Sequence, residues 1–455
     1  MADTIKSSRS RALEYCYHPR EVAWKGYEQF RDTTYGMDTR DGIKVVIPPE
    51  FLDGLKSHPH LSFKASIDND MQKEYTSFGG PPEFLIHAIK SGMTASLQWK
   101  RTTVHDQMLQ IVGCNNARVF LSTEASQNDD WIRYSTGYVL STFDCIRKIK
   151  QWHPMLRPMV YWFLPERKEI KLQWACAKKH VKKAMEARQH KGDSLENPPS
   201  MLDLLSSGKN SHLATRMDDQ VLYQMTLIAV GTVTTHASIV QAVYDLATYP
   251  EYIPILREEI QSVSRDHDGL FTKDAVMALK KLDSFMKESQ RLSAGDLSND
   301  FLWHHVMNVV ADPLFLGTFQ RAATAHLTLP DGTFIPKGTK IEVNTASIHV
   351  DEAYYPDPQR FDGLRYYRLR QRPGDENKHM YYSVGKNDLS FGFGRHACPG
   401  RYLGHLNIKL VMAELLMEYD VQTTLKSGRP KNIEFEALVA PDPDFEILLK
   451  SRRHS

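Results

Sequence analysis

Phe391-Gly-Phe-Gly-Arg-His-Ala-Cys398-Pro-Gly400 is the stretch on which the reading of this chain turns. It places one cysteine in a glycine-rich loop, directly before an apolar run from about Arg401 to Tyr419 that predicts a helix. The N–H groups at the start of such a helix point back toward the sulfur, and their positive potential favours the thiolate. The glycines let the backbone approach a flat ligand closely, and Pro399 suits a first helical turn because it has no N–H to leave unpaired. A thiolate in that setting is suited to bind iron. The other cysteines, Cys16, Cys114, Cys145 and Cys176, are scattered without a CxxC pair. That spacing argues against a structural zinc site and a secreted disulfide framework, and for a reducing compartment.

Around this loop lies an ordinary globular composition. The chain has 455 residues, 41% hydrophobic and 25% charged, which excludes collagen-like and disordered classes. Lysine plus arginine number 57 against 55 acids, a net charge of +2, so global charge gives no argument for nucleic acid or wholesale membrane binding. Charges run through the first 50 residues, from Lys6 and Arg9 to Asp41 and Lys44, so no anchor or transmembrane helix is expected there. The most apolar long segment, Leu227 to Ala247, contains Thr, His, Ser, Gln and Asp, and reads as a buried core helix.

Upstream of the loop the pattern is mostly helical. Apolar residues recur at three and four positions from about Asp130 to Arg188, and Gly192 to Ser211 reads as a polar surface loop with a short helix in it. Asp218 to Thr248 predicts a rod of roughly 30 residues, about 45 Å long. Further helices are expected over Glu251 to Arg265 and Lys273 to Leu292. Alternating apolar residues then surround Asp331-Gly332, a hairpin signal, so a small sheet is expected beside the helices.

The pattern Phe-x-x-Gly-x-His-x-Cys-Pro-Gly resembles the haem-binding loop of the cytochrome P450 family, whose cysteine thiolate is the axial iron ligand. Glu288-Ser-Gln-Arg291 is similar to the family's Glu-x-x-Arg, and Pro358-Gln-Arg360-Phe361 to its Pro-x-Arg-Phe, both in the family's order before Cys398. On a helix i and i+3 share a face, so Glu288 is expected to hold Arg291 while Arg360 closes the network. Val230-Gly-Thr-Val-Thr-Thr235 resembles the oxygen-binding segment of the family's long helix. Gly231 is expected to open space there, with Thr234 on the same face, and an alcohol can donate a proton during oxygen activation. Val233 departs from the pattern, standing where the family usually has a carboxylate, so proton delivery is left to Thr234, Thr235 and ordered water.

The resemblance implies a mainly α protein with a minor β region, the cytochrome P450 fold, as one domain over residues 1–455. It implies haem as cofactor, with Cys398 as iron ligand and Phe391, Gly394, His396 and Arg321 as cofactor-binding residues, His396 and Arg321 at the propionates. Trp99-Lys-Arg101 is a weaker candidate for the same task. The implied activity is a monooxygenase that inserts one oxygen atom of dioxygen into an apolar small molecule, in fungal secondary-metabolite biosynthesis. Electrons would come from NADPH through NADPH–cytochrome P450 reductase, for which Arg395 and Arg401 offer a basic docking patch. The alternatives are a non-catalytic haem-binding pseudoenzyme, motivated by Val233, and a redox-neutral haem-thiolate isomerase or dehydratase. Relatives normally carry an apolar N-terminal anchor before a segment like Ala12 to Phe30, and none is read here, so either the protein is cytoplasmic or peripherally associated with the endoplasmic reticulum, or the gene reading begins late. Residues 294–312 read as an insertion, either a short intron read through in frame or a genuine loop of this chain, because Pro313-Leu-Phe-Leu-Gly317 continues naturally from Leu292-Ser293. Trp303, His304 and His305 are then incidental.

Overall fold

The computed structural model describes residues 7–452 apart from 57, 71, 77–103, 192–198, 208–210, 215, 270, 296–313, 316–317 and 436–437. Its principal helices are α1 (Ser8–Tyr17), α2 (Pro19–Gln29), α3 (His105–Phe120), α4 (Asp129–Lys150), α5 (Glu166–Lys191), α6 (Met217–Thr248), α7 (Tyr252–Asp266), α8 (Lys280–Gly295) and α9 (Arg401–Glu418). Five strands form the main sheet: β1 (Tyr35–Thr39), β2 (Gly42–Val46), β3 (Leu61–Ser62), β4 (Thr318–Ala323) and β5 (Lys340–Val343), in the order β1-β2-β5-β4-β3. The mainly α fold with a minor β region is therefore observed.

The central helix α6 fills the 30-residue rod expected of it. Its window apolar enough to cross a membrane is 78% buried inside the fold, as suits a core helix. One apolar cluster joins its first half to α3, α4 and α5, and a second joins its later half to α7, α8 and α9.

Two continuous helical readings are divided. The stretch from Asp130 to Arg188 becomes α4 and α5, separated by Gln151 to Pro165, where Pro154 and Pro158 interrupt the backbone ladder. Asn128 caps α4, accepting from the Trp131 N–H at 2.8 Å, and Arg147, Lys148 and Lys150 complement its last turn. The stretch from Lys273 to Leu292 breaks at Leu279. The second piece, α8, is capped from outside by Glu259 of α7, whose carboxylate accepts from the N–H groups of Lys281 (2.6 Å) and Leu282 (2.9 Å). Asp331-Gly332 does turn a hairpin, with Leu327–Thr328 paired to Phe334–Ile335 and Gly332 in the left-handed region at φ +87°.

Three histidines are locked inside. Burial lowers His236 and His349 to about 3, helped by His105 and by Arg291 respectively, and lowers His405 to about 4, helped by Lys409. Each is held neutral in the fold but takes a proton below about 6.5 once unfolded. On unfolding between pH 4 and 6.5 these three groups should therefore take up as many as three protons, and their contribution to stability should fall as pH drops through this window, by about 1.4 kcal/mol per pH unit per proton. Urea titrations at a series of pH values check this; a flat profile from pH 6.5 to 4.5 would contradict it.

Candidate functional site

The loop Phe391 to Gly400 is shaped by its own backbone. Gly392 (φ +72°) and Gly394 (φ +69°) occupy the left-handed region, and a Cβ on Gly394 would collide with Lys56. The Cys398 N–H donates to the Phe391 carbonyl at 2.7 Å, drawing the two ends of the motif together. Arg401 donates to the Cys398 carbonyl at 2.7 Å. Gly400 is the N-cap of α9, so Pro399 lies just before the helix rather than inside its first turn, as the sequence had suggested. Cys398 is half-buried, and none of the five cysteines forms a disulfide.

Arg321 reaches this loop because β4 is irregular. Its register with β5 shifts between Thr318 and Arg321, and Phe319 lies at φ +56°. A bulge of this kind re-aims the following side chain. Arg321 lies over the Phe319 ring at 4.3 Å and donates to the carbonyls of Gln320 (2.8 Å) and Phe393 (3.5 Å). It is 2% exposed, and burial, with Arg395 nearby, pulls its guanidinium down to about 10. Among the described residues no carboxylate lies within ion-pair distance of it. His396 converges on the same place, since its ring stacks on Phe63 at 6.1 Å while Arg321 lies 5.6 Å from that ring. A buried cation with only carbonyl partners, beside a histidine and a second guanidinium, fits an anionic group such as a haem propionate. The chain thus fits haem where the sequence places it.

On α6 the candidate threonines diverge. Thr234 lies on an exposed strip with Val230, which is 41% exposed in a mostly buried helix. Its hydroxyl donates to the Val230 carbonyl at 2.8 Å, and Ser238 in turn donates to the Thr234 carbonyl at 2.8 Å. Thr235 is buried instead, with its hydroxyl oxygen 3.8 Å from where a Cβ on Gly404 of α9 would stand. Val233 is packed in the apolar cluster formed with α3, α4 and α5. Gly231 corrects the sequence reading: a Cβ there would press on Phe120 of α3 at 3.0 Å, so this glycine serves helix packing.

The Glu288 network is present with a different third member. Glu288 accepts from Arg291 at 2.7 and 2.9 Å, and from Arg365 at 3.1 and 3.2 Å. Burial alone would lower Arg291, but Glu288 raises it above its ordinary value. Arg360 is exposed and contributes only its carbonyl, to Arg365 at 3.2 Å. The expectation that Arg360 closes the network is therefore corrected to Arg365.

The sequence missed other groups around the loop. Tyr381 is fully buried, edge-on to Phe391 at 5.5 Å and stacked on His405 at 6.0 Å. Burial pushes its phenol far up, and Asp283 and Cys398 add to the rise while Ser238 opposes it, which places Tyr381 between α6 and the cysteine loop. Asp283 joins α8 to α9 through His405 (2.8 Å) and Lys409 (3.0 Å), and accepts from the Tyr381 N–H at 2.9 Å. The i, i+4 spacing of His405 and Lys409 was a usable signal for this contact; nothing local pointed to Phe63 or Tyr381. Trp99, Arg101, Trp303, His304 and His305 lie outside the described residues.

Comparison with known proteins agrees with this geometry. The family model described as Cytochrome P450 matches residues 136–297 and 313–449. The cytochrome P450 monooxygenase braC of Annulohypoxylon truncatum is 31% identical, over 94% of this chain and 88% of its own. The cytochrome P450 monooxygenase olcJ of Penicillium canescens is 29% identical, over 97% and 86%. Among solved structures, retinoic acid bound cyanobacterial CYP120A1 superposes with a TM-score of 0.66 at 16% identity, covering 97% of this chain and 96% of that one.

Proposed function

The chain belongs to the cytochrome P450 family, and from that premise we propose that Cys398 would hold haem iron in a monooxygenase acting on an apolar small molecule of fungal secondary metabolism. The observation that carries this reading is the convergence of Arg321 and His396 on the loop that holds Cys398. When bound, haem supplies oxygen activation with electrons drawn from a reductase. Cys398 contributes the thiolate, and Phe391 closes the loop against it. Gly394 allows the left-handed backbone turn beside Lys56, and Arg321 and His396 would neutralise the propionates of haem. The relatives are named monooxygenases, which leaves the pseudoenzyme and redox-neutral readings without support.

Thr234 is the proton-handling group at its Oγ1, because it alone of the two threonines faces open space and Val233 cannot relay a proton. Thr234→Ala should lower coupled product formation on the order of 10²-fold while peroxide release rises. Thr235→Ala should do less, since that side chain faces α9. Measuring peroxide and product per NADPH consumed checks both; unchanged coupling in Thr234→Ala would move proton delivery elsewhere.

NADPH–cytochrome P450 reductase is the electron donor in this reading. Supporting it, a cleft of about 1450 Å³ beside the start of α9 is lined by Arg360, Arg368, Arg372, Lys378, Lys386 and Arg401 against Asp357, Asp362 and Asp388, a surface on which cations outnumber carboxylates and which suits an acidic protein. Residues 294–312 are read as an insertion in a single 1–455 domain. The family match omits 298–312, which supports this, although α8 already includes Ala294 and Gly295. Sequencing the transcript tests it: splicing that removes these codons supports the reading, and their uniform retention opposes it.

A further inference from the structure

Beneath the cysteine loop, one buried carboxylate gathers groups from both ends of the motif. Asp283 stands in the first turn of α8, where the start of the helix favours a negative charge. Its Oδ1 accepts from His405 Nε2 at 2.8 Å and pairs with Lys409 Nζ at 3.0 Å, both on α9. Its Oδ2 accepts from the Tyr381 N–H at 2.9 Å and from Arg370 at 3.3 Å. The side chains of Asp283, His405, Lys409 and Arg370 are each 6% exposed or less. Burial would raise the Asp283 carboxyl, but Lys409 and His405 hold it well below the usual carboxylate range. An ionised carboxylate can only accept, so the neutral His405 carries its proton on Nε2. The base of this arrangement is fixed independently of the loop, since Glu259 of α7 holds the start of α8.

The two oxygens lead to the two ends of the motif. On the Oδ2 side, Tyr381 turns its ring edge to Phe391 at 5.5 Å, and the Phe391 carbonyl accepts the Cys398 N–H at 2.7 Å. On the Oδ1 side, His405 and Lys409 belong to the helix that begins at Arg401, three residues after Cys398, so they fix how far α9 is advanced and turned about its axis. His405 also ties the two sides together, its ring stacked on Tyr381 at 6.0 Å and set edge-on to Tyr382 at 4.9 Å. Taking such charges out of water is costly, and well-packed apolar side chains of similar volume would join two helices as well or better. What the hydrogen-bonded set adds is direction. Hydrogen bonds weaken steeply off line, so α9 and Tyr381 are held in one register relative to α8.

The geometry points to Asp283 and His405 as positioning residues for Cys398, clamping both ends of its loop so that the sulfur is presented at one fixed place. This inference rests on Cys398 as the haem ligand. Its test follows the reduced carbon monoxide complex at a temperature where the far-ultraviolet circular dichroism stays unchanged, and measures how fast the thiolate-type Soret band converts to the neutral-thiol type. His405→Leu should convert about tenfold faster than wild type, the size expected on losing a group that orients a metal ligand. His405→Gln, which keeps a donor for Oδ1, should stay close to wild type. Asp283→Asn should convert at least as fast as His405→Leu, and if it does not fold the two His405 variants decide. Cys145→Ala, destabilised in the apolar cluster around α4, should convert at the wild-type rate, which separates positioning from general stability. Equal conversion in wild type and His405→Leu, with the thiolate-type band present in both, would overturn the clamp and leave the haem reading intact. So would Cys145→Ala or His405→Gln converting as fast as His405→Leu. A wild type without the thiolate-type band would overturn the haem reading and the clamp together.

Discussion

Cys398→Ala should leave a folded protein that no longer supports reductase-dependent oxidation. The side chain is half-buried, and the backbone bond from its N–H to the Phe391 carbonyl does not need the sulfur. Loss of one sulfur atom at such a position costs about 1 kcal/mol or less. The chemistry has no substitute, because the other four cysteines lie outside this loop. NADPH consumption coupled to product should fall to background, and haem should be retained poorly. Cys145→Ala should behave in the opposite way. That side chain is fully buried in the cluster that includes α4, so its loss should reduce stability while haem content per folded molecule stays normal. Haem content, melting temperature and NADPH oxidation in the two variants separate the roles. A Cys398→Ala protein with full coupled activity would remove the assignment.

Glu288→Ala should yield little folded, haem-retaining protein. The carboxylate, with no exposed surface, accepts from Arg291 and Arg365 and from the Asp362 N–H at 3.1 Å. Its removal strands the Arg291 cation at 1% exposure, with only the carbonyls of His349 and Pro358 as acceptors. Breaking a buried pair from one side costs roughly 3 to 5 kcal/mol, a large part of the 5 to 15 kcal/mol that holds most proteins folded. The structure also ranks the arginines. Arg365→Ala should destabilise measurably, whereas Arg360→Ala should stay within about 0.5 kcal/mol, since its side chain is exposed. Urea midpoints of the three variants measure this; an Arg360→Ala effect larger than that of Arg365→Ala would contradict the observed geometry.

The exchange of Arg360 for Arg365 shows what sequence could and could not carry. The spacing of Glu288 and Arg291 is local and helical, so one face and one contact follow from it directly. Which guanidinium comes from the other side depends on the turn between Asp357 and Leu364. There Asp357 adopts φ +48°, and Arg365 folds back to donate to the carbonyls of Pro356, at 2.6 Å, and Arg360. No short motif encodes that path. The cysteine loop was legible because its glycines, proline and thiol each answer a local demand, and α6 was legible because its apolar run is long. Gly231 was misjudged for a related reason: periodicity placed it near Thr234, but only the packing of α3 shows that Phe120 fills the space beside it. Phe63, which joins Arg321 to His396, comes from 258 residues before Arg321 and carries no local signal.

The central claim is that Cys398 presents a thiolate to haem iron in this chain. Its most direct test is the absorption spectrum of the purified, haem-reconstituted wild-type protein after reduction under carbon monoxide. The account predicts the red-shifted Soret band of thiolate-ligated haem, absent from Cys398→Ala prepared in parallel. A band characteristic of imidazole or neutral-thiol ligation in the folded wild type, or a thiolate band that survives in Cys398→Ala, would contradict it.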